Sequence, residues 1–347
     1  RRPPISTLFP TTTLFRSSAV QVGAEVYEAR HILVATGARP AVPPIDGIRS
    51  AAVLDSTAVL ELSVTPASVA IIGGGYIGLE FAGFFASIGA KVTVLEALPR
   101  IAAGADSDIS ARLMAALKKE GVAFLTGCAV SRIEGHTVHY EGGSVSADVI
   151  LNATGRAPRV DGLGLEAVGV DFSRKGIRTG DDGKTNIAGV WACGDVTGRR
   201  LLAHAATREG IAAVNNMFGR PDLLRYDAIP SVIYTHPEAA SVGRIEDELK
   251  EQGIPYRRAV VPMAVAARFL VENEGASGVV KVLAGARYGE ILGVHAIGDS
   301  ASEWICAAAA MIEAGQTAAA AAEVVYPHPT VSEALKAALG QLARRES

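Results

Sequence analysis

An α/β fold through the first two thirds of the chain, followed by an α+β layer, is predicted by three features of the sequence. The first is the stretch Val69 to Glu96, VAIIGGGYIGLEFAGFFASIGAKVTVLE. It reads as a buried strand, a glycine turn, a helix and a second strand. The second is a set of apolar strands that end in turns or acids, at Asp148–Asn152 before Ala153-Thr154-Gly155-Arg156 and at Gly189–Val196, GVWACGDV. The third is a change of pattern from Asp227 onward, where several strands are followed by several helices, a different layer architecture.

Val69–Ile72 is an apolar run of the length of one buried parallel strand. Gly73, Gly75 and Gly78 then form G-x-G-x-x-G. Gly73 permits a tight turn, Gly75 lets a pyrophosphate approach the backbone, and Gly78 lets the next helix pack closely on the strand. That helix is expected over Ile77–Ile88, stopping near Gly89. Its free N–H groups and positive dipole end point at the phosphates. Lys91–Leu95 is the second strand, with Glu96 at its end. A carboxylate there can accept both ribose hydroxyls of adenosine and repels a 2′-phosphate, which argues for NAD over NADP. Strand, loop, helix, strand and acidic end all fall at the required spacing, so the stretch is more than a glycine-rich turn.

The 347 residues are 49% hydrophobic, enough for two or three domains with cores of their own. The formal charge is −3 with no basic run, so nothing suggests a nucleic-acid partner and none is expected. The 37 glycines suit many tight strand-to-helix turns. No apolar run reaches the length of a membrane span and no signal peptide is visible, so no membrane partner is expected. Cys128, Cys193 and Cys306 lie far apart, with no C-x-x-C or metal spacing. Each is read as a small buried apolar residue, no metal is expected, and low cysteine content fits the cytoplasm.

Residues 1–17, RRPPISTLFPTTTLFRS, have no helix or strand period and resemble a translated sequencing adaptor. They are read as a non-native or unstructured leader and set aside. Without Arg1, Arg2 and Arg16 the chain carries 30 basic and 36 acidic residues, a charge of −6. Ala19–Val26 alternates around Gly23 as a hairpin. His31–Ala35 is a strand, followed by Thr36-Gly37 and a proline-rich crossing at Pro40–Pro44. Asp55–Leu62 reads as a short helix capped by Asp55 or Ser56, and Ser107–Glu120 as an amphipathic helix ended by Gly121. Val122–Tyr140 reads as short strands with turns, and Leu202–Phe218 as a helix. In the last third, strands are expected at Ser231–Tyr234, Val279–Leu283 and Ile291–Ile297. Helices are expected at Ser302–Glu313, Ala318–Val324 and Val331–Ala343.

From about Ser18 to its end the chain resembles the flavin-dependent pyridine nucleotide–disulfide oxidoreductases. HILVATG (His31–Gly37) is similar to the strand and turn that close the flavin domain in that family. GGGYIGLE (Gly73–Glu80) with Glu96 resembles its NAD site, and NATGRAPR (Asn152–Arg159) its return crossing. WACGDV (Trp191–Val196) and LAHAATREG (Leu202–Gly210) resemble its flavin contacts. IPSVIYTHPEAASVG (Ile229–Gly243) and YPHPTVSEALKAA (Tyr326–Ala338) resemble its interface domain.

The resemblance implies Rossmann-like FAD- and NAD(P)-binding domains plus an α+β dimerisation domain. It divides the chain after the leader into a partial FAD-binding domain (18–62), an NAD-binding domain (63–158), a return FAD segment (159–226) and a dimerisation domain (227–347). It places Gly73, Gly74, Gly75, Tyr76, Ile77, Gly78, Glu80, Glu96 and Gly155 against NAD. Thr36, Gly37, Gly194, Asp195, Leu202, Ala203 and His204 fall against FAD. On the residues alone, Asp195 is equally a ribityl ligand at a strand end or a helix cap. His204 is at least as readily a packing residue, and its backbone near a helix start is the better flavin contact.

His328 is fixed between Pro327 and Pro329, and Glu333 can accept from its ring and set the tautomer. Spacing alone favours a capping box, Thr330-x-x-Glu333. The resemblance instead makes His328 the acid/base for a substrate dithiol, with Glu333 orienting it. It implies electron transfer from a lipoamide-like dithiol through a disulfide and FAD to NAD. A homodimer and service to a 2-oxo acid dehydrogenase complex are further implications. Departures from the family pattern are the missing FAD-binding G-x-G-x-x-G and C-x-x-x-x-C pair, and Arg159 where the family carries Asn. These lead to the expectation of a truncated chain, inactive alone, in which Glu80 has lost a lysine partner. Glu96 speaks against glutathione reductase. His328 and the lack of a C-terminal cysteine pair speak against mercuric reductase, and His328 also against soluble transhydrogenase. A non-catalytic NAD-binding or dimer-forming module is the rival from another class.

Overall fold

The structure is a computed structural model that describes residues 13–16, 18–275 and 277–344. It divides into two compact units. One joins the described part of Arg1–Ala41 to Arg156–Arg225, and the other joins Val42–Gly155 to Tyr226–Ser347.

The larger unit begins with a five-stranded parallel sheet. Its order is Val53–Asp55, Val149–Asn152, Ser68–Ile72, Lys91–Glu96 and Ala123–Thr126. Side chains alternate across it as the pleat requires. Val69, Ile71, Val92 and Val94 pack with Leu79, Phe85, Ile109, Leu113 and Leu117 of the helices Tyr76–Ser87 and Ser107–Lys119. Ala70, Ile72, Leu95 and Ile150 pack with Ile133 and Val138. Those two residues belong to the antiparallel meander Val130–Glu134, Thr137–Tyr140 and Gly143–Ser146. Successive crossovers run one way from Ser68–Ile72, and Val149–Asn152 returns on its other side. The strand order therefore reverses at Ser68–Ile72, and a crevice opens at the carboxyl ends there.

The same unit carries a five-stranded antiparallel sheet. Its order is Ser231–Ile233, Ala239–Gly243, Ile291–Ile297, Val279–Gly285 and Tyr256–Pro262. The helices Ala301–Glu313, Ala318–Ala322 and Glu333–Ala343 share its core through Ile305, Ala308, Ile312, Leu335, Leu339 and Leu342. Alanines at 308, 318, 321, 334 and 338 are wholly buried, which lets these helices approach closely.

In the smaller unit Ile32–Val34 and Val190–Ala192 pair in parallel, and Ala38–Pro40 pairs antiparallel with Arg156–Pro158. The helix Ala203–Met217 follows the short 3-10 turn Gly194–Thr197.

Three expectations change. The strand Thr13–Arg16 lies inside the segment read as an unstructured leader; it pairs with Ala19–Val22, which extends the expected hairpin into a three-stranded sheet ending in Glu25–Glu28. The rest of the leader, residues 1–12 and 17, lies outside the described residues. The first boundary falls after Ala41 rather than after residue 62, because Val53–Asp55 pairs with Val149–Asn152 in the parallel sheet. The short helix expected at Asp55–Leu62 contracts to a 3-10 turn at Ala58–Glu61, with Asp55 Oδ1 accepting from Thr57 and Ala58 N–H as the expected cap. Within the antiparallel sheet, Ala239–Gly243 and Tyr256–Pro262 were not legible. The first is Ala-Ala-Ser-Val-Gly, weak in β propensity, and its neighbours on both sides hold it in the sheet.

Candidate functional site

A cleft of about 490 Å³ opens at the carboxyl edge of the parallel sheet, at the point where the strand order reverses. Gly73, Gly74, Gly75 and Tyr76 line it together with Glu96, Leu98, Thr154 and Gly155. Gly73 has φ +108°, and a Cβ there would stand 2.5 Å from the Ala153 carbonyl oxygen, so the fold itself demands glycine. Gly75 differs. Its φ of −79° suits any residue, and an added Cβ would meet nothing within 4 Å. Nothing in the protein forbids a side chain at Gly75; what benefits from its absence is a group occupying the cleft. Gly155 likewise faces open space. Gly75 is also the N-cap of Tyr76–Ser87, with no side chain closing the helix end. The cradle therefore fits a dinucleotide pyrophosphate.

Glu96 is bound at both oxygens. Oε2 accepts from Gly74 N–H at 2.6 Å and Oε1 from Leu98 N–H at 2.7 Å. A carboxylate has roughly four acceptor positions, so one on each oxygen remains for a pair of ribose hydroxyls. Backbone donors thus fix the carboxylate in place.

Gly78 and Ile77 support the cleft without lining it. A Cβ on Gly78 would stand 2.1 Å from the Gly73 carbonyl oxygen, so glycine sets the helix-to-strand approach. Glu80 also stays outside the lining. Its Oε1 accepts from Tyr234 N–H at 3.0 Å, and burial raises its pKa despite that bond.

The expected flavin residues all fall in the smaller unit. Thr36 Oγ1 donates to the Arg159 carbonyl at 2.8 Å, and Arg159 N–H donates to the Gly37 carbonyl at 2.9 Å. Arg159 thus joins the turn through its backbone. Asp195 Oδ2 lies 3.7 Å from Arg156 Nε, and Arg156 Nη2 donates to the Ala38 carbonyl. Gly194 N–H donates to the buried Glu209 carboxylate at 2.5 Å. Leu202 caps the helix that begins Ala203-His204, with no side-chain acceptor at that end. Such a helix start suits an electron-rich ring edge.

His328 and Glu333 meet, apart from the cleft lining. His328 Nδ1 is 3.0 Å from Glu333 Oε1 and 3.2 Å from Oε2. Thr330 N–H also donates to Glu333 Oε2 at 2.9 Å. That backbone bond and the imidazole together hold the Glu333 carboxyl below its ordinary range. Both readings of the pair are thus present in one geometry. Glu333 performs the carboxylate half of the capping box and orients the imidazole, which is mostly exposed at 73%. His236 pairs with Asp299, Nδ1 to Oδ1 at 3.2 Å.

Of the cysteines, Cys193 is buried as expected, and burial and the Glu209 charge push its thiol up. Cys306 corrects the expectation of burial, since it is exposed on Ala301–Glu313. Cys128 is half-buried and lines the cleft. Sequence reasoning also missed the cleft walls Pro43, Ile45, Ala102 to Gly104 and Ala129-Val130. These are small or apolar residues, mostly in loops, with no motif of their own.

A pyridine nucleotide-disulphide oxidoreductase profile matches residues 5–210, and the dimerisation-domain profile of the same family matches residues 229–339. The chain belongs to the pyridine nucleotide-disulphide oxidoreductase family. FAD and NAD are the cofactors this membership implies. Among similar proteins, dihydrolipoyl dehydrogenase 3 of Pseudomonas putida is 38% identical over 90% of this chain and 69% of its own length. Dihydrolipoyl dehydrogenase of Bacillus subtilis is 37% identical over 91% of this chain and 70% of its own. Among solved structures, the HOCl-induced flavoprotein disulfide reductase RclA from Escherichia coli superposes with a TM-score of 0.85 at 28% identity. That match covers 94% of this chain and 78% of RclA. This oxidoreductase is thus a mixed α/β protein with a dimerisation domain, as its sequence predicts. No helix among the described residues is long and apolar enough to cross a membrane.

Proposed function

We propose that the chain provides the nucleotide-binding and interface parts of a dihydrolipoyl dehydrogenase-like enzyme working from a dithiol to NAD. The observation that carries this reading is the His328–Glu333 pair, 3.0 Å apart, on a chain whose cleft suits NADH. The curated relatives quoted above are themselves dihydrolipoyl dehydrogenases.

In this reading the glycine turn Gly73–Gly75 and the start of Tyr76–Ser87 bind the NAD pyrophosphate. Glu96 accepts the adenosine ribose hydroxyls and excludes a 2′-phosphate. Gly155 lets the backbone approach the nicotinamide end. Thr36, Gly37, Gly194, Asp195 and the Leu202-Ala203-His204 helix start hold FAD on the other unit. FAD, when bound, supplies the two-electron relay between disulfide and nicotinamide. His328 takes the proton of the substrate dithiol at its ring nitrogen Nε2, with Nδ1 held by Glu333. General-base work needs a fixed tautomer, and Glu333 fixes it. The dimerisation domain brings His328 to the partner subunit's disulfide in a two-fold homodimer. A lipoamide-bearing 2-oxo acid dehydrogenase complex is the partner that chemistry suits, in the cytoplasm.

Residues 1–347 contain three cysteines and no C-x-x-x-x-C pair. The nucleophile for disulfide exchange is a thiolate, and the raised thiols of Cys128 and Cys193 oppose that form. The chain alone should therefore show no dihydrolipoamide-dependent NAD reduction and should bind FAD weakly. Fused to a family segment bearing the FAD-binding G-x-G-x-x-G and the cysteine pair, it should turn yellow and active. Absorbance at the flavin band and an NAD-reduction assay read both. A yellow, active protein without the added segment would overturn the assignment of roles.

A further inference from the structure

One charged cluster lies outside the site just described. Lys281 stands within the interior strand Val279–Gly285 and is wholly buried. Its ammonium meets three carboxylates, Asp106 Oδ1 at 2.8 Å, Asp108 Oδ2 at 2.8 Å and Glu246 Oε2 at 2.5 Å. An ammonium has three N–H donors, and each finds a carboxylate. Asp106 is itself wholly buried and caps the helix Ser107–Lys119 through Asp108 N–H. Its other oxygen accepts from Glu246 N–H at 3.1 Å. Arg258, Tyr256 and Lys250 surround Glu246.

The cluster is tied directly to the cleft. Residues 100–106 run from the cleft wall to the Asp106 cap, and Ala102, Ala103 and Gly104 line the cleft. Ala102 N–H donates to the Gly74 carbonyl at 2.7 Å, and Ser110 Oγ donates to the Ile101 carbonyl at 2.7 Å. Arg100 donates to the carbonyls of Ala103 and Ala105 and pairs with Asp247 at 3.3 Å. Ser107 Oγ donates to Asp247 as well. Ala102 has φ +44°, a backbone that a residue with a Cβ adopts only when its surroundings force it. The strap is thus pinned at Gly74 on one side and at the antiparallel-sheet domain on the other.

We infer that Lys281 and Asp106 are positioning residues for the nucleotide: through the 100–106 strap, the dimerisation domain holds the cleft wall in its binding shape. The inference rests on reading that cleft as the NAD site. The domain that carries the substrate histidine then also sets nucleotide affinity, without touching the nucleotide.

The test titrates NADH into the full chain and its variants by calorimetry, well below each variant's melting temperature. Asp106→Asn keeps an acceptor for the helix cap but sets an amide N–H against the Glu246 N–H. It should weaken NADH binding roughly tenfold, a coupling in the usual range, in a chain whose circular dichroism is unchanged. Lys281→Met should weaken it at least as much. Should Lys281→Met not fold, Asp106→Asn and Arg100→Met, the latter at a partly exposed position, decide the matter. A purely structural role would lower melting temperature and leave the NADH dissociation constant of the folded protein alone. Variants that fold and bind within about twofold of the parent chain, a shift too small for such coupling, overturn the inference while leaving the cleft assignment intact. If the parent chain itself fails to bind NADH, the cleft assignment falls, and the inference with it.

Discussion

In a chain fused to an FAD-binding and disulfide-bearing segment, His328→Gln should slow dithiol oxidation by about 10² to 10⁴. Glutamine keeps an amide near the position of Nδ1 but cannot carry the proton. NADH affinity should not change, because His328 does not line the cleft. Glu333→Gln should act on the same step less severely. Its carboxylate holds both the imidazole and Thr330 N–H, and an amide oxygen can replace only one of those roles at full strength. Stopped-flow reduction by dihydrolipoamide, with NADH binding measured separately, distinguishes the two readings of the pair. If His328→Gln turns over at the parent rate, Glu333 is a helix-capping residue and the dithiol proton goes elsewhere.

Lys281→Met should lower stability by about 3–5 kcal/mol, the cost typical of removing one partner from a buried charge cluster. Methionine fills much the same volume, so the loss is electrostatic: three carboxylates lose their shared cation, and Glu246 keeps close ones in Arg258 and Lys250. Their present state shows what Lys281 contributes. Burial alone would raise Glu246, but hydrogen bonds from Lys281, Tyr256 and Lys250 outweigh it and hold the carboxyl at about 2. Asp106 is likewise held down against burial by Lys281, and Lys281 is itself raised by its carboxylates. A depressed carboxyl stabilises the fold above its unfolded value and ceases to do so as pH falls through the folded value. For Glu246 that window runs from the ordinary 4.5 down to about 2, so the parent chain keeps this contribution at pH 5. The variant should behave oppositely. Its stranded carboxylates gain from protonation, so urea midpoints should rise as pH falls from neutral toward 5. A variant as stable as the parent at pH 7, or one that weakens on mild acidification, would show that Lys281 contributes little.

Much of this was legible beforehand because the motif stretch is a local device. Gly73, Gly75, Gly78 and Glu96 lie within one strand–helix–strand unit, so spacing alone places them together. The strands Ser68–Ile72, Lys91–Glu96 and Val149–Asn152 and the helices Tyr76–Ser87 and Ser107–Lys119 also appear within one or two residues of expectation, since each carries its own apolar period and stop signal. What was hidden is non-local. The domain boundary moved to residue 41 because Val53–Asp55 finds its partner at Val149–Asn152, about a hundred residues on. The strand Thr13–Arg16 exists through its pairing with Ala19–Val22, and its own composition argued for no structure. Lys281 within Val-Val-Lys-Val-Leu was a visible anomaly. Its three partners come from two other segments, and nothing in the sequence joins them. The cleft walls at Ala102 to Gly104 and Ala129-Val130 are small residues whose value is their position.

In the proposed role the cleft takes NAD and Glu96 selects it. Parallel calorimetric titrations of the full chain with NADH and NADPH test it most directly. The Glu96 carboxylate is fixed by Gly74 and Leu98 N–H and cannot swing aside without losing both bonds. Like-charge juxtaposition costs several kcal/mol, so NADPH should bind about a hundredfold or more weaker than NADH. Glu96→Gln should narrow that gap, mainly by admitting NADPH. Equal affinities for the two nucleotides in the parent chain would contradict the account.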